Sequence, residues 1–522
     1  MPASIRNHRL LHFATLSFLL IAFGFRVNAQ KTLSFPHSTP EAEGVSAVGI
    51  DSFLTAVGKS KHEFHSIMIL RHGKVIAEGW WNPYAPDLRH TLYSTSKSFT
   101  STAVGFAVSE KLLSVNDKVT SFFPNSLPDT VKPYLANLTV KDLLTMSVGM
   151  DPDPTSVIPF KSDDWVRSFL ATPILNKPGS KFLYNSMATF MLAAIVQTVT
   201  HQRVLDYLKP RLFDPLGIKD EDWEASNSGI NTGGWGLRLK TEDMAKLGML
   251  YLHKGMWNGK QLLPQAWVDE ATTFKIDQAP GLPQSKKDSS DWMQGYCYQF
   301  WRCRHNAFRA DGAFGQYIIV MPDQDAVIAI TSETADMQGE LNQVWQYLLP
   351  AMHAEALPAN NGADNKLTHH LDALSLPPAA GGAVPQSGIF NRSFTMEPNQ
   401  LNIQKININF SGGECHVAFK QDSATYKIDF GNGQWVAGKT DWLGPYLLSG
   451  AHENFSLLQP SKIDGSYTFT DPNTLQLKLR YIESPHTRII SLHVDGKNMN
   501  GTVENSFVYG NNKKVELKGA AK

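Results

Sequence analysis

The chain has 522 residues, 42% of them hydrophobic, and it holds 48 basic and 48 acidic side chains, so its formal net charge is zero. This length exceeds what one hydrophobic core usually fills and indicates two domains. A balanced charge offers no polyanion-binding surface, so neither nucleic acid nor an anionic membrane is expected as a partner.

The first 29 residues have the pattern of a secretion signal. Two arginines precede an apolar run over residues 10–25, and Ala29 supplies a small residue at the cleavage point. The sequence therefore predicts a bacterial protein exported to the periplasm or the medium. The alternative is a noncleaved anchor, but the run includes His12 and is shorter than the roughly 20 apolar residues of a spanning helix. No stable membrane anchor is expected.

Residues 30–354 mix helical and strand patterns, which predicts an α+β domain. The segment 65–80, "HSIMILRHGKVIAEGW", is typical of two strands joined by a turn at His72-Gly73. The segment "TEDMAKLGMLYLHKG" predicts a helix that Thr241 caps and Gly255 ends. The segment "LNQVWQYLLPAMH" predicts the helix that closes the domain.

The composition changes after this domain. Residues 355–385 are rich in Pro, Ala, Gly and Asn and predict a linker. Residues 386–522 show short runs of alternating apolar residues separated by turns such as Asp495-Gly496, which predicts a smaller all-β sandwich or lipocalin-like barrel.

Cysteine and histidine do not form a metal or disulfide framework in this sequence. Cys297 and Cys303 are six residues apart, roughly 20 Å if extended, so the three cysteines are expected to be free, buried thiols. The adjacent His369 and His370 lack spaced partner ligands, so no metal and no cofactor are predicted.

The segment "TLYSTSKSFTSTAVGFAV", residues 91–108, places Ser94 and Lys97 one helical turn apart at the start of an apolar stripe. A lysine can take the proton of a serine hydroxyl when burial lowers its pKa. The stripe after Lys97 would supply that burial. Alone, Ser-x-x-Lys is a weak signal, and an ordinary Ser/Thr-rich helix start is the alternative.

The surroundings of this pair resemble the serine beta-lactamase and penicillin-binding-protein superfamily, in its class C-like branch of esterases, D-amino-acid peptidases and amide hydrolases. The resemblance covers about residues 40–353 and includes, in the family's order, "YSTSKSFTSTAVG", "LTVKDLLTMSVGM", "PGSKFLYNSMATFMLAAIVQTVT" and "GAFGQYIIVMPDQDAVIAITS". It implies a sheet flanked by helices plus an all-helical part.

The resemblance also implies roles for individual residues. Tyr184 of "YNS" would relay protons beside Ser94 and Lys97, and Ser186 stands where the family more often has Asn. In "RADGAFG", Gly312 matches the invariant glycine of a third motif, and the backbone N–H of Ala313 would complete an oxyanion hole with that of Ser94.

The third motif departs from the family at its first position. Ala310 stands where a lysine or histidine usually helps to bind a substrate carboxylate, which disfavours beta-lactams. Arg309 and Arg302 are the possible substitutes, although both are expected at the surface. Tyr296 and Trp301 are candidates for substrate contact near the pocket mouth, with packing in the core as the alternative.

The resemblance therefore implies an exported serine hydrolase that acts through a Ser94 acyl-enzyme on a small-molecule or peptide-like ester or amide. Its oligomeric state is open. Two alternatives remain at this point. One is a catalytically silent penicillin-binding or cell-wall-sensing protein whose β domain binds a ligand. The other makes the β domain a lipocalin-like carrier, in competition with a role as a lid or stabilising partner.

Overall fold

The computed structural model describes residues 34–156, 158, 160, 162–382, 388–448, 460–507 and 514–521. The predicted secretion signal, residues 1–29, lies outside the described residues. Within the described part of the chain, none of the helices combines the length and the apolarity that a membrane crossing needs.

The first region is built on an antiparallel sheet. Its strands, in chain order, are β1 (Glu63–Arg71), β2 (Lys74–Trp80), β3 (His90–Thr91), β4 (Asp222–Trp223), β5 (Leu237–Leu239), β6 (Met256–Trp257), β7 (Lys260–Gln261), β8 (Trp301–Arg302), β9 (Phe308–Gly312), β10 (Gln316–Met321) and β11 (Ala326–Glu333). The main sheet has the order β2-β1-β11-β10-β9-β8, and every neighbouring pair in it is antiparallel.

Helices cover both faces of this sheet. In chain order they are α1 (Ala47–Gly58), α2 (Ser96–Ser109), α3 (Pro133–Asn137), α4 (Val140–Leu144), α5 (Trp165–Ala171), α6 (Ser186–Thr200), α7 (Val204–Leu208), α8 (Asp214–Leu216), α9 (Thr241–Leu252), α10 (Gln265–Thr272), α11 (Gln284–Lys287), α12 (Met337–Gln343) and α13 (Asn361–Asp372). Helix α9 packs on β10 and β11, whereas α1 packs on the closing helix. Helices α2, α4 and α6 form the helical part of the domain around one apolar core.

The predicted strands and helices of this region are confirmed, with one error in capping. The turn between β1 and β2 is formed by His72 and Gly73, both with positive φ. Helix α9 begins at Thr241, but no side chain caps it. The Thr241 hydroxyl instead hydrogen-bonds with Ser66 of β1 at 2.6 Å, so a tertiary contact replaces the predicted cap.

The C-terminal region is a closed β-barrel. Its strands are β12 (Ser393–Met396), β13 (Ile403–Ser411), β14 (Glu414–Gln421), β15 (Ala424–Asn432), β16 (Val436–Thr440), β17 (Ser461–Asp471), β18 (Thr474–Tyr481), β19 (Thr487–Asp495), β20 (Asn498–Asn505) and β21 (Val515–Ala521). Antiparallel pairing runs in the order β15-β14-β13-β12-β21-β20-β19-β18-β17, and a short parallel pairing of β15 with β17 closes the ring. Strand β16 pairs with β17 beside that closure.

Apolar side chains fill the barrel. Alternate residues of its strands are buried, among them Phe394, Phe419, Leu477 and Leu492, each fully shielded from solvent. A barrel of about eight strands has an interior that side chains can fill. This packing favours the role of a structural partner over that of a lipid carrier.

The segment predicted as a linker contains a helix, α13. Asn360 caps this helix by accepting a hydrogen bond from the N–H of Ala363. Two of its side chains, Lys366 and His370, each lie 2.8 Å from a carboxylate oxygen of Asp51 on α1. The helix is therefore attached to the first region, and His370 pairs with an acid there. The domain boundaries stay a prediction.

Polar contacts join the barrel to the first region. Arg480 of β18 forms an ion pair with Glu63 of β1, with its Nη1 2.6 Å from the carboxylate. The β18–β19 turn lies against the first region, where the Tyr84 hydroxyl donates to the Ser484 carbonyl at 2.9 Å. The N–H of Thr91 donates to the Glu483 carbonyl at 2.9 Å.

Helix α2 requires a glycine where it meets α10. A Cβ atom built on Gly105 would lie 2.4 Å from the indole Nε1 of Trp267. We therefore expect Gly105→Ala to lower the free energy of unfolding by about 1–3 kcal/mol because the rigid indole must move. Urea denaturation followed by fluorescence measures this change.

Gly58 provides the matched control, because a Cβ atom there meets nothing within 4 Å. Gly58→Ala should leave stability unchanged or raise it by up to about 1 kcal/mol. Equal destabilisation by both substitutions would show that the contact with Trp267 is not the cause.

Candidate active site

Ser94 lies in a tight turn immediately before α2. A 3₁₀ turn covers Tyr93–Thr95, so the α-helix begins two residues later than the motif suggested. The turn is anchored on both sides: the Thr95 hydroxyl donates to the carbonyl of Gln316 at 2.7 Å, and Ser96 Oγ accepts from the N–H of Leu237 at 3.2 Å. These bonds fix the Ser94 side chain at the mouth of a pocket.

The Lys97 amine lies against three oxygen atoms. Its Nζ is 3.0 Å from Ser94 Oγ, 3.0 Å from Ser186 Oγ and 2.7 Å from the Gly234 carbonyl oxygen. Lys97 is only 2% exposed, and this burial lowers its pKa to about 7. Burial has this effect because a low-dielectric surrounding disfavours the ammonium form. The predicted helix stripe supplies the burial: Phe99, Ala103 and the residues that follow are enclosed in the core.

Tyr184 lies beside this pair, as the resemblance implied. Its hydroxyl hydrogen-bonds with Ser94, and its ring centroid is 4.9 Å from Lys97 Nζ. Burial raises the pKa of Tyr184 above its usual value, so the phenol keeps its proton at neutral pH. Of the two candidate bases, the lysine is therefore the one that can accept a proton near pH 7.

The N-terminus of α6 separates the roles of two adjacent polar residues. Ser186 points its hydroxyl at Lys97, at the position where the family more often has Asn. Asn185 points away and caps the helix by accepting from the N–H of Ala188 at 3.0 Å. Backbone register therefore places Ser186, and not the neighbouring amide, at the site.

The β9 strand and its turn form the opposite wall. A Cβ atom on Gly312 would lie 2.2 Å from the Leu92 carbonyl, which explains why glycine is needed there. Ala313, the next residue, lines the pocket together with Ser94. Ala310 is buried, and Asp311 is the member of this motif that faces the pocket.

The structure corrects the expectation that Arg309 lies at the surface. Arg309 is fully buried, and its Nε donates to Asp311 at 2.7 Å. Its guanidinium packs 4.4 Å from the ring centroid of Trp292 and 5.5 Å from that of Trp301. Arg302 does lie partly at the surface and donates to the Asn306 side chain at 2.8 Å.

The pocket has a volume of about 730 Å³ and combines aromatic with acidic walls. Trp301 lines it and stacks on Tyr184 at a centroid distance of 5.6 Å. Tyr296 is 1% exposed and packs edge-on behind both rings, so it lies in the core. The three cysteines are free and buried, as expected.

Sequence reasoning missed several parts of this site. The carbonyl of Gly234, within the segment "GGWG", accepts from Lys97, and no role was predicted for this segment from the sequence. Asp153 and Asp311 line the pocket, and so do Leu447 and Leu448 of the C-terminal region. The glycines of "GGWG" were the local sequence signal, and the structure shows why one of them is needed: a Cβ atom on Gly234 would lie 2.8 Å from the Ser186 carbonyl.

The fold and the site together define a serine hydrolase. The family model named beta-lactamase matches residues 61–351, more than half of the chain. The chain belongs to the beta-lactamase family.

Individual relatives agree with this assignment. The 6-aminohexanoate-dimer hydrolase of Paenarthrobacter ureafaciens is 26% identical over 295 residues, which cover 52% of this chain and 73% of that protein. Protein flp of Staphylococcus aureus strain MW2 is 26% identical over 175 residues, which cover 31% of this chain and 35% of that protein. A Bacillus anthracis structure assigned provisionally as a 6-aminohexanoate-dimer hydrolase shares the fold, with a TM-score of 0.51 and 20% identity over 62% of this chain and 89% of its own.

The lowered pKa of Lys97 predicts how the reactivity of the Ser94 hydroxyl towards an activated ester depends on pH. The base must be neutral, so the rate should rise tenfold per pH unit below about pH 7 and level off above it. Stopped-flow measurement of acylation by p-nitrophenyl acetate between pH 5 and 9 tests this. Lys97→Met should lose about 10²–10⁴-fold in rate and show no break near pH 7. A wild-type profile that first breaks near pH 10 would contradict it.

Proposed function

We propose that the protein hydrolyses small esters or amides through an acyl-enzyme on Ser94. The observation that carries this proposal is the position of the buried Lys97 amine, 3.0 Å from Ser94 Oγ. A lysine with its pKa near 7 can take the proton of a serine hydroxyl at neutral pH, which an ordinary lysine cannot.

The surroundings of Lys97 support the neutral form of its amine. A neutral amine has two N–H groups and one lone pair. The Gly234 carbonyl can only accept, so it takes one N–H, and Ser186 can accept the other. The lone pair is then left for the hydroxyl of Ser94. Neutral Lys97 thus satisfies all three contacts and is oriented as a base.

The reaction proceeds in two halves. Lys97 takes the proton as Ser94 Oγ bonds to the acyl carbon, and the N–H groups of Ser94 and Ala313 stabilise the oxyanion. The bond to the leaving group then breaks, and Tyr184 with Lys97 delivers the proton to that group. In the second half the same pair removes a proton from water as the water oxygen bonds to the acyl carbon. The bond between that carbon and Ser94 Oγ then breaks, the pair returns the proton to Oγ, and the carboxylic acid leaves.

The walls of the pocket favour neutral or cationic substrates. The charged side chains among its described lining residues are Asp153, Asp311 and Asp336. Asp311 faces the pocket within the motif in which the family usually carries a cation. A substrate carboxylate would therefore meet like charge there, and this supports esters and amides over beta-lactams. The relative named for hydrolysing 6-aminohexanoate dimer supports an amide among the substrates.

A catalytically silent binding protein is the alternative from another class. It would keep the pocket but not use Lys97 as a base. Export of either form stays a prediction from residues 1–29. Relation to a hydrolase family does not separate the two forms, whereas covalent labelling does.

A fluorophosphonate probe is expected to label the purified full-length protein at Ser94, because an activated serine attacks phosphorus as it attacks an acyl carbon. Mass spectrometry should locate the adduct on the peptide that contains Ser94. Ser94→Ala should abolish labelling. Ser98→Ala, four residues further along the chain and within α2, should retain it, since the Ser98 hydroxyl donates to the Gln299 carbonyl instead of facing the pocket. Absence of labelling in a folded wild-type protein would favour the silent binder.

The charge of the pocket predicts a preference between two esters with the same leaving group. p-Nitrophenyl butyrate should be hydrolysed with a kcat/KM at least about tenfold above that of the p-nitrophenyl monoester of succinate, because the succinyl carboxylate approaches Asp311. The uncatalysed rate of each ester is subtracted before the values are compared. Equal corrected values would show that the acidic wall does not select substrates.

A further inference from the structure

Two residues with unusual backbone conformations flank the proposed oxyanion hole. Tyr93 precedes Ser94 and has φ of 47°, and Phe314 follows Ala313 and has φ of 68°. Aromatic residues rarely adopt this left-handed region, because it is strained for a side chain with a Cβ atom. Such conformations persist only where surrounding contacts hold them. Contacts to Tyr93 and Phe314 therefore determine where the two N–H groups point.

One barrel residue, His486, contacts both of them. His486 lies in the turn between β18 and β19 and is fully buried. Its Nε2 is 2.5 Å from the Tyr93 hydroxyl. Its ring meets the ring of Phe314 edge-on, with centroids 4.9 Å apart and an interplanar angle of 89°. The ring of Phe507 packs against His486, with centroids 4.2 Å apart, and also contacts Phe314 at 4.8 Å.

The partners of His486 fix its orientation. Its Nδ1 lies 2.6 Å from a carboxylate oxygen of Glu333, at the end of β11, and the Ser506 hydroxyl donates to the same oxygen at 2.7 Å. A carboxylate accepts, so Nδ1 carries the hydrogen and Nε2 accepts from the Tyr93 hydroxyl. The backbone of Leu447 also hydrogen-bonds to that hydroxyl. Two separate barrel segments thus hold one side chain next to Ser94.

We propose that His486 is a positioning residue that holds Tyr93 and Phe314 so that the N–H groups of Ser94 and Ala313 converge on the oxyanion. The proposal rests on the proposed acyl-enzyme function. It makes the barrel a component of the active site, acting across a separation of almost 400 residues in the chain. His486 touches neither substrate nor Ser94, so its influence passes through Tyr93 and Phe314.

Removal of the Tyr93 hydroxyl tests this proposal and leaves the packing of the aromatic ring in place. Tyr93→Phe deletes the bond to His486 and keeps the ring, whereas His486→Gln keeps an acceptor for Tyr93 and His486→Ala does not. Tyr84→Phe is the matched control, because Tyr84 donates to Ser484 of the same barrel turn but, unlike Tyr93, is not adjacent to Ser94 in the chain and does not line the pocket. All variants are compared in the full-length protein with p-nitrophenyl butyrate as substrate.

We expect Tyr93→Phe to lower kcat about 10- to 100-fold with KM changed less than twofold, since a displaced oxyanion hole affects the transition state more than the bound substrate. His486→Ala should lose at least as much, and His486→Gln should recover part of the loss. The inhibition constant of phenylboronic acid, whose tetrahedral adduct places an oxygen in the hole, should rise in parallel with the loss in kcat. Tyr84→Phe should keep wild-type kcat.

Two results would overturn the positioning role. One is a kcat within twofold of wild type in Tyr93→Phe. The other is an equal loss in Tyr84→Phe and Tyr93→Phe, which would mean that the barrel turn serves only stability. Fluorophosphonate labelling of the wild type separates these results from a failure of the proposed function: an unlabelled wild type refutes both, whereas a labelled wild type with an unimpaired Tyr93→Phe refutes only the positioning role.

Discussion

The burial of one lysine amine is the constraint on which the rest of the site depends. Three segments distant in sequence must meet around Lys97: the turn before α2, the N-terminus of α6 and the backbone at Gly234. An unfolded lysine titrates near its ordinary pKa, so the folded chain binds fewer protons than the unfolded chain between about pH 7 and 10.5. Lys97 therefore destabilises the fold most below pH 7, and this cost declines as the pH rises. The apolar core around α2 and α6 offsets this cost in folding free energy.

The C-terminal barrel also places buried side chains against partners that are distant in the chain. Its contacts with the first region include the pair of Arg480 with Glu63 and the bond of His486 to Glu333, and in both the barrel side chain is fully buried. A buried charged pair adds little net stability but penalises any misaligned docking, because an unpaired buried charge is costly. Such an interface favours one orientation of the barrel relative to the first region. Leu447 and Leu448 then reach the pocket wall, so the orientation of the barrel also shapes the substrate site.

Local patterns were enough to predict much of this architecture. Alternation identified the β1–β2 pair and the barrel strands, and the Ser94–Lys97 spacing with the resemblance around Tyr184 identified the centre of the site. Contacts between distant residues could not be predicted. No pattern in a single sequence links Tyr93 to His486. The linker-like composition of residues 355–385 did not predict helix α13, which depends on the cap at Asn360 and on pairing with Asp51. Thr241 was misassigned as a cap because Ser66, far away in the chain, binds its hydroxyl.

At Ala310 the sequence lacks the cation that the family usually carries in its third motif. The structure shows that a carboxylate, that of Asp311, faces the pocket in this motif instead. The cation is present one residue earlier, but Arg309 lies behind the pocket, under Trp292 and Trp301, and Asp311 faces inward. Burial raises the pKa of Asp311, while the adjacent guanidinium opposes that change. Because the two side chains form a buried pair, neither can be replaced alone without leaving a charge uncompensated. The pair therefore keeps the Asp311 carboxylate at this wall, and the substrate preference that we propose follows from the packing of β9.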